Sequence, residues 1–190
     1  MRIAINDQTI ELCRGDIAAQ QVDAIVNAAN SRLAGGGGVD GAIHRRGGAA
    51  IMHETSARYP DGCSTGSAVI STAGNLAAKY VIHAVGPVWN GGGRREPELL
   101  AGAYRRSLEL AAEHGCQSVA MPALSTGAYR YPMDQAARVA LSTAAAFLKE
   151  HRRPALVRFV LFDETAYSAF AAAAAEVLPT DELHAELHAT

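Results

Sequence analysis

The stretch from Asp23 to Gly41, DAIVNAANSRLAGGGGVDG, decides the fold, because an apolar run in it leads into a run of glycines. Its first residues are apolar and partly β-branched, which predicts a buried strand, and its last residues open a segment of helical period. Glycines at such a junction let backbone N–H groups approach a ligand closely, and a helix N-terminus adds partial positive charge. The stretch therefore predicts an anion site at the end of a strand.

Two common nucleotide-binding motifs do not fit this stretch. No Gly-Lys-Ser/Thr follows the glycines, so the segment is not a phosphate loop that uses a lysine and magnesium. Gly36, Gly38 and Gly41 satisfy the dinucleotide fingerprint, but that motif begins directly after its strand and needs an acidic residue ending the next strand, about 20 residues on. Both conditions fail, so we expect a phosphate to be held by main-chain donors alone.

A second glycine loop, STGAY at residues 125–129, also follows an apolar run and precedes a helical segment. Two such loops at the carboxyl ends of strands in one open sheet form a cleft suited to a diphosphate. The alternative from the residues alone is that both loops are only tight connections.

The rest of the chain alternates short apolar runs with longer segments of helical period, which predicts an α/β protein with helices on both faces of its sheet. Strands are predicted near residues 2–5, 8–13, 23–28, 66–72, 79–85, 117–121 and 156–162. Helices are predicted near residues 39–58, with a break around Gly47 and Gly48, and near 97–114, 132–150 and 164–178. Because the first two strands follow each other before the first long helix, we expect a mixed sheet.

The composition is typical of one soluble domain with one core, since 49% of the 190 residues are hydrophobic and 19% are charged. No apolar run reaches the roughly 18 residues that span a bilayer, and the N-terminus lacks a secretory signal pattern, so we expect a cytoplasmic protein with no membrane partner. The three cysteines are scattered, which predicts neither a disulfide framework nor a zinc site. A net charge of −2 disfavours non-specific nucleic-acid binding.

Five segments carry a family resemblance: GDI at 15–17, IVNAAN at 25–30, GGGGVDGAIH at 35–44, HAVGP at 83–87 and PALSTGAY at 122–129. In order and spacing they resemble a macrodomain of the MacroD type, with the domain at residues 1–178 and a C-terminal tail at 179–190. The resemblance implies a three-layer α/β/α sandwich with a mixed central sheet. It also implies binding of ADP-ribose without a metal or another cofactor.

The resemblance further implies a role for individual residues. Asp16 would accept a hydrogen bond from the adenine amino group, the N–H of Ile17 would bind the ring, and Phe162 would lie against it. Asn30 and Asp40 would be the catalytic pair at the distal ribose, with Asn30 fixing the sugar and Asp40 orienting or deprotonating a water. The remaining substrate contacts would come from Asn27, Gly36, Gly37, Gly38, Val39, Ser125, Thr126, Gly127, Ala128 and Tyr129.

Judged from the residues alone, several of these positions have a second interpretation. Asp16 and Asp40 each suit a turn or a helix cap, and Phe162 suits the core. Asp163 is either a ribose contact or a cap. These alternatives predict a stabilising role where the resemblance predicts contact with the ligand.

Other singled-out residues are assigned no direct chemistry. His44 and His83 belong to matching motifs, but we interpret both as buried support residues. Arg130 stands where a glycine is common in the family, and its charge could alter loop closure or recognition of a protein substrate. In the tail, His184 and His188 share one helical face as a metal pair would, although a frayed extension is the preferred interpretation.

The implied activity is hydrolysis of esters on the distal ribose: deacetylation of O-acetyl-ADP-ribose and removal of mono-ADP-ribose from Asp or Glu side chains of proteins. Water would attack the ester carbonyl or the anomeric carbon. Expected partners are ADP-ribose-containing small molecules and mono-ADP-ribosylated proteins. Nucleic acids are not expected to bind, except for ADP-ribosylated ends. We expect the protein to be a monomer. The alternative is a reader module that binds ADP-ribose without turnover, and a third hypothesis is binding of RNA or poly(ADP-ribose).

Overall fold

The computed structural model describes residues 1–178, so the predicted tail at 179–190 lies outside the described residues. The strands are β1 (Arg2–Ile5), β2 (Gln8–Arg14), β3 (Ala24–Ala28), β4 (Ser67–Thr72), β5 (Tyr80–Val85), β6 (Ser118–Met121) and β7 (Leu156–Leu161). The helices are α1 (Gly38–Gly47), α2 (Ala49–Arg58), α3 (Glu96–Glu113), α4 (Met133–Glu150) and α5 (Glu164–Val177), and a short 3₁₀ turn covers Ile17–Ala19.

The strands form one mixed sheet in the order β1-β2-β7-β6-β3-β5-β4. The five inner strands β2, β7, β6, β3 and β5 are parallel to one another. Each outer strand, β1 and β4, is antiparallel to its neighbour. All five inner strands therefore end at the same edge of the sheet, which brings together the loops that follow them.

Helices cover both faces of the sheet, which confirms the predicted three-layer α/β/α sandwich. Strand β3 shows how the layers are separated, because neighbouring side chains of a strand point to opposite faces. Val26 belongs to a large buried cluster with residues of α3, α4 and α5, such as Leu108, Leu141 and Phe170. Ile25 belongs to a second cluster that includes Ile43 of α1.

The predicted elements agree with the observed ones to within about two residues at each end. The predicted break in the first helical segment is also present, because Gly48 separates α1 from α2 with a φ of 84°, which a residue with a side chain rarely adopts. None of the helices within residues 1–178 is both long enough and apolar enough to cross a membrane.

Candidate active site

A cleft of about 800 Å³ runs along the edge where the five parallel strands end, a size typical of ligand pockets. Each of the five strands is followed by a lining residue: Asp16, Phe162, Ser125, Asn30 and Gly86 after β2, β7, β6, β3 and β5 respectively. The carboxyl edge is where open α/β sheets bind ligands. The chain therefore builds one continuous cleft from segments far apart in sequence.

The first glycine loop, residues 35–41, joins β3 to α1 and forms one wall of the cleft. Helix α1 begins at Gly38, and its N-cap Gly37 supplies no side-chain hydrogen bond to the first turn. Gly35 and Gly38 have φ angles of 77° and 55°, which favour glycine. The uncapped amides of this turn are donors for an anion in the cleft.

The second glycine loop, residues 125–129, forms the facing wall after β6. Two backbone hydrogen bonds fold it back on itself: Arg130 N donates to Gly127 O at 2.9 Å, and Tyr131 N donates to Ser125 O at 3.0 Å. Ser125 has a φ of 67° without being a glycine. Its Oγ is buried and has no hydrogen-bond partner among the described residues. The hydroxyl packs against the backbone of Gly86 and is a donor that no described residue uses.

One end of the cleft is formed where β2 and β7 end. Asp16 caps the 3₁₀ turn by accepting a hydrogen bond from Ala18 N at 2.9 Å, and Asp163 caps α5 by accepting from Ala166 N at 2.8 Å. Phe162 is 87% exposed although it is a large apolar residue. A core role for Phe162 is thus excluded, and its ring is free to stack on a flat ligand group.

Asp40 lies at the opposite end of the cleft, in the first turn of α1. Its Oδ1 accepts a hydrogen bond from Asn27 Nδ2 at 2.5 Å and lies 3.3 Å from His44 Nδ1. Burial alone would raise the pKa of Asp40, but the hydrogen bonds from His44 and Asn27 outweigh burial and hold the pKa below its usual value. The same hydrogen bond raises the pKa of His44. Asp40 is therefore an ionised carboxylate at neutral pH.

The second carboxylate oxygen of Asp40 faces the first glycine loop. Oδ2 is buried and receives no hydrogen bond from residues that the structure describes. A Cβ added to Gly36 would lie 3.6 Å from it, in ordinary van der Waals contact, so the backbone of the first glycine loop packs next to this oxygen. An ionised carboxylate with one uncommitted oxygen is suited to accept a proton.

Asn30 lines the cleft next to Asp40, but its amide already holds its own loop together. Nδ2 donates to Gly35 O at 2.9 Å, and Oδ1 accepts from Arg32 N at 3.1 Å and from Ala34 N at 3.2 Å. Asn30 thus shapes the first glycine loop in addition to any contact that it makes with a ligand.

Asn27 is the one predicted contact residue that does not line the cleft. It is fully buried beneath Asp40, and its Nδ2 also lies 3.2 Å from His83 Nδ1. On the far side, His83 Nε2 lies 2.9 Å from Ser71 Oγ. As a polar residue on a strand covered on both faces, Asn27 supports Asp40 from below, and its contact with the ligand stays a prediction.

The segment between β5 and α3, residues 86–95, lies beside the second glycine loop, and its first residue, Gly86, lines the cleft. Glu96 is only 1% exposed, and its carboxylate accepts hydrogen bonds from the backbone N–H groups of Asn90, Gly92 and Arg94. Trp89 N donates to Tyr129 O at 2.9 Å, which ties this segment to the second glycine loop. A single buried carboxylate thus fixes the glycine-rich part of this segment.

All the other predicted contact residues line the cleft: Asp16, Ile17, Asn30, Gly36, Gly37, Gly38, Val39, Asp40, Ser125, Thr126, Gly127, Ala128, Tyr129 and Phe162. Sequence reasoning missed Arg45, Gly86 and the roles of Ser71 and Glu96. Only Glu96 carried a signal, as an acidic residue between a glycine run and Pro97 at a helix start. Within residues 1–178 no group of three His, Cys, Asp or Glu side chains could hold a metal ion.

Comparison with known proteins gives one consistent family. The family model described as Macro domain matches residues 26–140. A macro domain-containing protein of Caldanaerobacter subterraneus is 52% identical over 172 residues, covering 90% of this chain and 98% of the relative. A Cronobacter sakazakii protein named O-acetyl-ADP-ribose deacetylase is 54% identical over 157 residues, covering 82% of this chain and 87% of the relative.

A solved structure agrees with these relatives. The Oceanobacillus iheyensis macrodomain with ADP superposes with a TM-score of 0.88 at 40% identity, covering 93% of this chain and 95% of the other. Fold, motifs and relatives lead to the same result, and the chain belongs to the macro domain family.

Proposed function

We propose that the cleft binds ADP-ribose and that Asp40 directs hydrolysis of esters on its distal ribose. The substrates are O-acetyl-ADP-ribose and proteins that carry mono-ADP-ribose on Asp or Glu side chains. The single observation that carries the proposal is the state of Asp40, which is held ionised by Asn27 and His44 and keeps Oδ2 uncommitted beside the first glycine loop.

The two ends of the cleft suggest how ADP-ribose lies in it. Phe162 offers an exposed ring and Asp16 a carboxylate, which suit the flat, amino-bearing adenine. The glycine loops between the ends supply backbone donors for the diphosphate. The distal ribose then reaches Asn30 and Asp40. The relative named O-acetyl-ADP-ribose deacetylase and the macrodomain structure with ADP support this orientation by analogy.

The geometry suits acid–base catalysis without a covalent intermediate. Asp40 Oδ2 accepts a proton from a water molecule as the water oxygen bonds to the ester carbonyl carbon. The bond between that carbon and the ribose oxygen then breaks, and the proton on Asp40 Oδ2 passes to the ribose oxygen, which yields the free acid and ADP-ribose and regenerates the carboxylate. General base catalysis of this kind contributes about 10²- to 10⁴-fold to the rate.

A reader module without turnover is the second candidate, and one observation favours it. The amide of Asn30 is engaged by Gly35, Arg32 and Ala34, so this side chain is not free in the way that a dedicated catalytic group would be. A reader would bind ADP-ribose as tightly as an enzyme would, and only turnover separates the two.

The test is turnover by wild-type protein and by the Asp40→Asn variant, both in the presence of a chelator. O-acetyl-ADP-ribose and a glutamate-linked ADP-ribosyl peptide are supplied in parallel, and released acid and ADP-ribose are followed by chromatography. We expect wild type to cleave both esters and Asp40→Asn to lower kcat by about 10²- to 10⁴-fold, with ADP-ribose affinity in calorimetry little changed.

The matched control is Asp61→Asn, which makes the same chemical change on an exposed loop residue away from the cleft. It should turn over like wild type. Tight binding of ADP-ribose by a wild-type protein that cleaves neither ester would establish the reader. Equal turnover by wild type and Asp40→Asn would show that another group carries the reaction.

A further inference from the structure

Behind Asp40, three neighbouring strands place polar side chains in a row on the face covered by α1 and α2. Asn27 of β3 is paired in register with His83 of β5. Ser71 lies on β4, which pairs with β5 on the other side. All three residues are buried, with relative exposures of 1% or less. Polar groups in an apolar interior need hydrogen-bond partners, and within residues 1–178 Asn27 Oδ1 is the one polar side-chain atom of this row without a partner.

The direction of each hydrogen bond in the row can be derived by starting at Ser71, the end of the row farthest from Asp40. Thr72 O can only accept, so Ser71 Oγ donates its proton to Thr72 O, at 3.0 Å. Ser71 Oγ must then accept from His83 Nε2, at 2.9 Å, which puts the ring proton on Nε2. The unprotonated Nδ1 of His83 accepts from Asn27 Nδ2, whose other proton goes to Asp40 Oδ1.

We propose that His83 is a positioning residue for the reaction: held by Ser71 as the Nε2-protonated neutral ring, it fixes the amide of Asn27 so that Asn27 donates to Asp40. His83 acts through Asn27 and does not line the cleft. The inference deepens the proposed function and rests on it, because positioning Asp40 matters for rate only if Asp40 acts on the substrate.

The row excludes an alternative orientation of Asn27 that would harm the site. If the amide turned over, its oxygen would face the carboxylate of Asp40, and two acceptors would oppose each other in a buried place. The unprotonated Nδ1 of His83 prevents this, because it also requires an N–H from Asn27. Orientation of the amide is thus coupled to the tautomer of a ring one strand further from the cleft.

The arrangement works only while His83 stays neutral, since a protonated ring would present N–H groups on both sides. Burial and the neighbouring charge of His44 lower the pKa of His83 to about 4. The groups that face it are His44 and Asp40 from α1 and Glu54 from α2, and the two carboxylates act in the opposite direction. Around neutral pH the ring therefore remains an acceptor toward Asn27.

The first test compares His83→Leu with His83→Asn. Leucine removes the acceptor for Asn27, whereas the Oδ1 of asparagine can take the place of the ring Nδ1. We expect His83→Leu to lower kcat on O-acetyl-ADP-ribose by about 10- to 100-fold, as for a misplaced catalytic group, with ADP-ribose affinity unchanged. His83→Asn should recover a large part of the lost kcat, which a general loss of packing would not allow.

The pH profile provides a readout that a purely structural role would not move. Without the hydrogen bond from Asn27, the burial of Asp40 is less well compensated, so its pKa should rise. The acid limb of kcat/KM should therefore move to higher pH in His83→Leu, and by less in Ser71→Ala. The control is Ser107→Ala, which also removes a fully buried hydroxyl, one that donates to Ala103 O in α3; its acid limb should match wild type.

A measurement on wild-type protein keeps the inference testable if a variant fails to fold. Nitrogen NMR of the histidine rings distinguishes the protonated from the unprotonated nitrogen, and we expect the proton of His83 on Nε2 at pH 7. A proton on Nδ1, or a folded His83→Leu variant with wild-type kcat and acid limb, would overturn the inference. Absence of turnover in wild type would instead overturn the proposed function. The ring tautomer would still show whether the hydrogen bonds from Ser71 to Asn27 have the directions given above.

Discussion

The two glycine loops face each other across one cleft, but their glycines are required for different reasons. In the first loop, a Cβ on Gly41 would lie 2.8 Å from Gly36 O, which is too close for real atoms. In the second loop, a Cβ on Gly127 would meet nothing within 4 Å. Packing within the protein explains Gly41, whereas no neighbour among the described residues explains Gly127. Gly37 of the first loop also meets nothing within 4 Å, so the contrast is between Gly41 and Gly127.

The loops also differ in how they make tight turns. In the first loop, the two residues with a positive φ are glycines, Gly35 and Gly38. In the second loop, the residue with a positive φ is Ser125, at 67°. A residue with a side chain in this region costs on the order of 1 kcal/mol, and such strain tends to collect at functional sites. The second loop therefore stores strain that the first avoids.

The largest expected effect on stability is that of Gly41→Ala. The new methyl group would collide with Gly36 O and crowd Arg45, while the better helix propensity of alanine offsets about 1 kcal/mol. We expect a net loss of about 1–3 kcal/mol in the free energy of unfolding, measured by urea denaturation. Wild-type stability in this variant would mean that the two loops do not differ as described.

Gly127→Ala is the matched change in the second loop, and it should act on binding instead. The space is open and the backbone conformation is one that alanine adopts, so stability should change by no more than about 0.5 kcal/mol. A diphosphate approaching this backbone would meet the methyl group, and we expect the Kd for ADP-ribose to rise about tenfold, or about 1.4 kcal/mol. Unchanged affinity in calorimetry would place the diphosphate elsewhere in the cleft.

Ser125→Gly tests the stored strain. Glycine adopts the positive φ freely, and the change also removes a buried hydroxyl without a partner among the described residues. After the greater flexibility of glycine in the unfolded chain is allowed for, we expect a gain of about 0.5 kcal/mol in the free energy of unfolding. Thermal and urea denaturation can show whether the free energy of unfolding rises or falls. A loss of stability would mean that the hydroxyl holds the loop in place.

The smallest effect concerns pH and belongs to the first loop alone, because residues 122–130 contain no acidic residue or histidine. The pKa of His44 is raised in the folded state by its hydrogen bond to Asp40, so its stabilising contribution is complete below the unfolded value, about 6.5, and is lost as pH rises through the folded value. Between pH 6 and pH 9, wild type should lose about 0.3–0.5 kcal/mol more than His44→Gln in urea denaturation, as for other ion pairs one helical turn apart. Equal losses would contradict the ion pair with Asp40.

The contribution of Asp40 to stability changes with pH in the opposite direction. Its folded-state pKa is lowered, so its contribution is present above the unfolded value, about 3.9, and disappears only as pH falls through the folded value. Acid should therefore leave the first loop intact down to about pH 4.

The sequence predicted local structure better than it predicted contacts between strands. Strand β3 and the break at Gly48 follow from apolar runs and glycines, which act over a few residues. The row from Ser71 through His83 to Asn27 depends on the register of strands whose residues lie up to 56 positions apart. No local pattern records that register, which is why the support of Asp40 by Asn27 was not predicted from the sequence.

The buried carboxylate of Glu96 has a consequence for when the segment that it holds becomes ordered. Glycine-rich segments such as residues 90–94 lose the most conformational entropy when they become ordered. Because Glu96 binds three of their backbone N–H groups in the folded protein, that loss occurs during folding and not when a ligand arrives. The segment is therefore ordered before a ligand arrives, and through Trp89 N it gives the second glycine loop a fixed neighbour.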